Sequence, residues 1–345
     1  MARKIRFTTF DTPGLFDDED IELHNQLQIL SDIEKDAERL QKKRKEENHS
    51  INNILIDKDS LTQPKFLKFM SFGSGSSGNC AYIGDDECGF LIDAGVDSDK
   101  VLASLKEQKI DIANIKGICL THDHSDHIRY AYNIVRRNRH IPIFCTPRTL
   151  NGILCRHNIS RRIKDYHRPI YKEMEFKIGN FTIIAFDVSH DGHDNVGYFI
   201  KYGNHRFAIA TDLGIITERV EHYMQQADYI MLESNYDRNM LINGDYREHL
   251  KARILANDGH LDNVAAAQFI ANIYSEQLKY VFLCHLSQDN NTPDIALSQM
   301  RSALMEKGIF SIGDGSGDPI SRQSAIQIIA LPRFDSSPLY LLRKD

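Results

Sequence analysis

Within the stretch LTHDHSDH, Leu120–His127, four side chains able to bind metal strongly stand in an HxHxDH spacing: His122, His124, Asp126 and His127. His122 and His124 are two apart, so at the end of an extended strand both imidazoles point to the same side. Asp126 and His127 follow as the chain turns towards a helix. Imidazole nitrogens and carboxylate oxygens together suit hard-to-borderline divalent cations. A single tetrahedral ion rarely takes all four ligands from one short loop, so the spacing points to two adjacent ions. A polar helix cap with incidental histidines is the bland alternative, and it is set aside.

Three further candidates each stand at the C-terminal end of an apolar run. FTIIAFDVSH ends at His190, RFAIATD at Asp212 and YVFLCH at His285. Each alone is a weak signal, because a lone histidine usually caps or satisfies a core. Strand ends meeting on one sheet edge can bring such distant residues together, which is where open sites form.

The elements required to position these groups are legible as a mixed α/β pattern. Strand-like runs include KFLKFMSF, CAYIG, GFLIDAG, IKGICLTH, IPIFCT, VGYFIKY, YIMLES and AIQIIAL. Helices are expected near 97–108, 127–138, 147–157, 216–226, 263–277 and 293–307. Hairpins in the first half exclude a clean βαβ series. Residues 65–345 thus read as one catalytic domain. Residues 1–64 read as an extension with one amphipathic helix (Leu23, Leu27, Leu30, Ile33, Ala37, Leu40) and a linker, an arm for a protein partner or for self-association.

Composition narrows the classes. No stretch is apolar enough for a membrane span, and MARKIRFTTF lacks a signal-peptide core, so a cytoplasmic protein is expected. Six scattered cysteines without CxxC spacing argue against disulfides and cysteine–zinc clusters, and Cys119 and Cys284 read as core. DTPG at Asp11–Gly14 has no GxxxxGK[ST] to accompany it and is taken as chance. The net charge is −6, yet residues 129–168 are strongly basic and include Arg136, Arg137 and Arg139. That run is open between a solvated helix face and a footprint for phosphate.

FGSGSSGNC, Phe72–Cys80, has the letters of a dinucleotide-binding turn. The third glycine, however, leads into another strand instead of a helix, so no pyrophosphate site is expected.

HxHxDH followed by strand-end His, Asp and His resembles the metallo-β-lactamase fold superfamily, and LIDAG (Leu91–Gly95) resembles its first motif. GSGSSGNC, LESNYD, DGHLDN and HLSQDNNTP bring the resemblance closer to the bacterial YycJ/WalJ exonuclease-like branch. It covers roughly residues 66–310. It implies an αββα sandwich, two mixed β-sheets flanked by helices, with a two-metal site (Zn²⁺ or Mn²⁺) on one edge. By the family pattern His122, His124 and His190 hold one ion, Asp126, His127 and His285 the other, and Asp212 bridges. Asp93 would be a structural carboxylate behind them.

Two such ions would activate a water as hydroxide for in-line attack. Asp126 would orient that water as well as ligate. His260 in DGHLDN resembles the histidine that phosphodiesterases such as RNase Z place beside the scissile phosphate. Phosphate contact or general acid is expected of it, with helix capping the alternative. Ser74, Ser76, Ser77 and Asn79 are open between touching a substrate phosphate and forming a plain turn. His193 is open between reaching the site and simple exposure. The branch implies a 5′-to-3′ DNA exonuclease with a role in repair, DNA being favoured over RNA. The competing class is a small-molecule hydrolase: a cyclic-phosphate phosphodiesterase, thioesterase or lactonase.

Overall fold

In the computed structural model the described residues are 66–318, 321 and 323–343, and the expected N-terminal helix and linker lie outside them. The chain first lays down β1 (Leu67–Gly73), β2 (Cys80–Gly84), β3 (Gly89–Ile92), β4 (Ile115–Cys119), β5 (Ile143–Cys145) and β6 (His167–Pro169). A second sheet follows with β7 (Glu175–Ile178), β8 (Phe181–Asp187), β9 (Val196–Tyr202) and β10 (His205–Ala210). It is completed by β11 (Tyr229–Glu233), β12 (Tyr280–Cys284), β13 (Ile312–Gly313) and β14 (Ile326–Ala330). The chain then returns to the first sheet as β15 (Tyr340–Leu342), which pairs with β1. The orders are β15-β1-β2-β3-β4-β5-β6 and β13-β14-β12-β11-β10-β9-β8-β7.

Strand alternation explains the layering. Phe69, Ile83, Phe90, Tyr229, Met231 and Phe282 point into one core shared by the two sheets. Their neighbours turn outwards. Met70, Tyr82 and Leu91 meet Val101, Leu105 and Ile134 from helices on one side. Ile230, Leu232 and Leu283 meet Val220, Ile270 and Met300 from helices on the other. Helix, sheet, sheet and helix stack as four layers because each strand is apolar on both faces. This is the expected αββα sandwich. Cys119 and Cys284 are fully buried in its centre, as expected.

Strand direction creates the site edge. β3 and β4 run parallel, and β1 reaches the same direction through two antiparallel steps. β10, β11, β12 and β14 are parallel, and β8 joins them through β9. Their C-terminal ends therefore open on one side of each sheet.

The helix expected over 127–138 is two, Ser125–Ile128 and Ala131–Arg137. The physical cause is a pair of competing bonds. Asp126 O accepts from Asn79 N at 2.8 Å, and Tyr130 N donates to Ala94 O at 2.8 Å. The i→i−4 bond between Tyr130 and Asp126 is thereby lost. The helix expected to 277 stops at Ile273, and short helices at Arg238–Asn243 and Glu248–Ile254 were not anticipated. No helix among the described residues is long and apolar enough to cross a membrane.

Candidate metal centre

The bonds that break the helix also seat the HxHxDH loop. Gly95 lies so close beneath it that a Cβ there would stand 1.5 Å from Asp126 O. Backbone cannot step aside as a side chain can. Gly95→Ala is therefore expected to destabilise the fold by about 1–3 kcal/mol through overpacking. Denaturant titration checks this, and an unchanged midpoint would show that the loop is loosely held.

Partners on the far side of each ring decide which nitrogen faces inwards. His127 Nδ1 lies 2.7 Å from Asp93 Oδ2, and Asp93 Oδ1 also accepts from Thr121 N at 2.8 Å. His122 Nδ1 meets Thr121 Oγ1 at 2.9 Å, and His190 Nδ1 donates to Gly259 O at 2.9 Å. His285 Nδ1 lies 3.1 Å from Glu233 Oε1. All four rings thus turn Nε2 into the cavity. His124 is reversed, with Nδ1 3.2 Å from His190 Nε2 and Nε2 3.3 Å from Asp191 Oδ1. Arg253 Nε in turn holds Asp191 Oδ2 at 2.6 Å. Asp93 and His285 sit at φ of 60° and 54°, strained values for non-glycine residues, and both terminate strands in this cage.

The seven expected side chains meet. The ligand atoms of His122, His124 and His190 lie within 4.8 Å of one another, as do those of Asp126, His127 and His285. Asp212 stands between: Oδ2 is 3.1 Å from His127 Nε2, and Oδ1 is 3.3 Å from His285 Nε2.

The donor set fits divalent cations. His122 Nε2 is buried without a hydrogen-bond partner, a cost that a cation would relieve. Burial and the neighbouring His127 keep the His122 pKa well below its ordinary value, which leaves a neutral ring with a lone pair. Burial and His190 bring His124 down to about 4. Burial also opposes charge on His285, but Asp212, Asp126 and Glu233 overcome it and push its pKa up to about 10. Burial likewise works against the Asp212 carboxylate, yet His285 and His127 hold its pKa well below the usual range. One side of the cage is neutral nitrogen, and the other has anionic oxygens.

His260 forms the wall beside it. Its ring stacks on His285 with centroids 5.3 Å apart, and Nδ1 lies 2.7 Å from Glu233 Oε1. Capping of the helix Asn263–Ile273 falls to Asp262, whose side chain accepts from Val264 N and Ala265 N. Asn79 is buried against the ligand loop, with Nδ2 2.9 Å from His127 Nε2 and 3.2 Å from Asp126 Oδ2. Ser74 is also buried, its Oγ accepting from His285 N at 2.9 Å. Ser76 and Ser77 are exposed on the loop. Arg137 pairs with Asp99, while Arg136 in the last turn of the helix Ala131–Arg137 and Arg139 just beyond it are exposed. His193 is half-buried, and its backbone N donates to Asp123 Oδ1 at 2.8 Å.

Glu233 carries more of the site than its sequence suggested. It is fully buried, and its carboxylate also accepts from Leu213 N at 2.9 Å and Leu261 N at 3.2 Å. One residue thereby orients His260, His285 and the loop after Asp212. The available signal was its place at the end of the apolar run YIMLE, like the other strand-end candidates. Glu233→Gln is expected to weaken metal affinity about 10–100-fold. Competition with a chelating dye measures this, and parental affinity would remove Glu233 from the account.

A family model described as the beta-lactamase superfamily domain matches residues 89–285. The chain is 32% identical over 249 residues to exodeoxyribonuclease YycJ of Bacillus anthracis, covering 72% of this chain and 92% of the relative. It is 28% identical over 258 residues to exodeoxyribonuclease WalJ of Streptococcus pneumoniae, covering 73% and 95%. Among solved structures, the metallo-β-lactamase fold protein YhfI of Bacillus subtilis aligns with a TM-score of 0.56 at 14% identity, covering 79% of this chain and 99% of that one. Zn²⁺-bound PqqB of Methylobacterium extorquens gives 0.56 and 14%, covering 79% and 100%. At that identity the last two speak for the fold alone.

Proposed function

The chain belongs to the beta-lactamase superfamily, as a metal-dependent hydrolase of its YycJ/WalJ-like branch, and on that premise we propose that it is a 5′-to-3′ exonuclease acting on DNA in repair. The observation that carries this reading is the meeting of seven ligand side chains from strand ends of both sheets in one buried cage. DNA as substrate is supported by the names of the two exodeoxyribonuclease relatives.

In this reading His122, His124 and His190 would hold one divalent ion and Asp126, His127 and His285 a second, with Asp212 placed to serve both and Zn²⁺ or Mn²⁺ as the occupants. Divalent ions held there supply Lewis acidity to a phosphoryl group and make water acidic enough to serve as nucleophile near neutral pH. The protein's own groups do the positioning. Asp93 and Glu233 fix His127 and His285 from behind. Asp126, partly exposed and steadied by Asn79, orients the attacking water. His260 has Nδ1 committed to Glu233, so Nε2 is the nitrogen left to contact the scissile phosphate or protonate the leaving oxygen.

The test is an assay of purified chain with Mn²⁺ or Zn²⁺ on DNA labelled separately at each end. Shortening from the 5′ end, lost on chelation and restored by metal, is expected. Turnover of bis(p-nitrophenyl) phosphate with intact DNA would replace this reading with a small-molecule phosphodiesterase.

A further inference from the structure

β14 is parallel to β12, so the chain leaving Ala330 emerges on the same edge as His285. From there it crosses to the first sheet and ends as β15 beside β1. On the way it runs over the glycine loop. Ser74 N donates to Arg333 O at 3.3 Å, while Ser74 Oγ accepts from His285 N. One residue therefore separates Arg333 from the cage.

The guanidinium of Arg333 lies directly on Gly75, where a Cβ would stand 2.6 Å from Nη1. A bare backbone is what lets it lie so low. Nη1 reaches Ser76 Oγ at 3.4 Å, and Asp126, Asp289 and Tyr246 are within its electrostatic reach. The next side chain, Phe334, is 55% exposed, with the Arg333 guanidinium carbon 5.6 Å from its ring centre.

The segment bearing both is anchored. Lys100 Nζ donates to Phe334 O, the Ser104 and Ser336 hydroxyls meet at 2.9 Å, and Ser337 N donates to Ser71 O at 2.7 Å. An exposed aromatic ring on a pinned backbone, next to a guanidinium, matches the two parts of a nucleotide. Aromatic rings stack on bases whatever their sequence, and guanidinium forks suit phosphate.

We propose that Arg333 and Phe334 form a nucleotide-docking element on the rim of the cage, the guanidinium taking a backbone phosphate and the ring stacking on a base of the strand being cleaved. This rests on the reading of the chain as a DNA phosphodiesterase.

Steady-state cleavage of single-stranded DNA by the metal-loaded full chain tests it. Phe334→Ala is expected to raise KM about tenfold with a smaller effect on kcat, whereas Phe334→Tyr keeps KM near the parent value. In a series of oligonucleotides with one abasic position moved along the strand, one position should raise KM for the parent and add nothing for Phe334→Ala. Arg333→Ala should raise KM and lower the salt-dependence slope by about one, and Arg333→Lys should restore the slope. Neither the abasic coupling nor the slope would respond to a merely structural role. DNA cleavage by the parent with unchanged KM, slope and abasic response in the variants would overturn the docking element and leave the nuclease reading standing. A parent protein that leaves DNA intact would overturn both.

Discussion

Replacing Asp212 by asparagine is expected to lower kcat/KM for phosphodiester cleavage on the order of 10³-fold and to reduce metal retention. The loop after RFAIA brings this carboxylate, 5% exposed, between two imidazoles. Its oxygens lie 3.1 Å from His127 Nε2 and 3.3 Å from His285 Nε2, so each serves a different part of the cage. Asparagine keeps the volume but removes the charge, and its amide nitrogen cannot accept from or ligate where the oxygen did. The fold should survive, because the side chain fits the same space. Metal content and activity measured on the same folded sample check this. Full metal content with parental activity would mean that the carboxylate does not join the two halves.

His260→Ala is expected to cost about 10²–10⁴-fold in kcat, the range of a lost general acid or phosphate contact, while the bound metal is kept. Its ring leans on His285 but is not one of the seven, and its Nδ1 is spoken for by Glu233. His260→Gln, which restores a hydrogen-bond donor without a transferable proton, separates the two roles. Recovery with glutamine would assign phosphate contact, and continued loss would assign proton transfer. A drop in metal content equal to the drop in rate would instead make His260 a support for His285.

The cage was readable because ligand chemistry and strand-end position are both local signals. HxHxDH, His190, Asp212 and His285 each follow an apolar run, and strands that run the same way within a sheet send such ends to one side. What depends on pairing across the chain was not readable. Glu233 orients His285 because β11 and β12 pair with Glu233 opposite Cys284, which no local pattern prints. The break at Tyr130 follows from Asn79 capturing the Asp126 carbonyl, a contact across 47 positions. Arg333 meets Ser76 across 257 positions, after a sheet change that strand propensities alone do not reveal. The glycine loop leads directly into strand β2, as its sequence indicated, but the loop's role as support for His285 and Arg333 needed the tertiary structure.

The seven side chains are proposed to hold a pair of cations whose chemistry the protein directs at DNA. Counting divalent ions per chain in stripped and reconstituted protein, while following 5′-end cleavage on the same samples, decides the matter. Two ions at saturation, with cleavage rising as the second binds, is the predicted result. Cleavage that persists after the metal is stripped, or no specific metal uptake by folded protein, would contradict it.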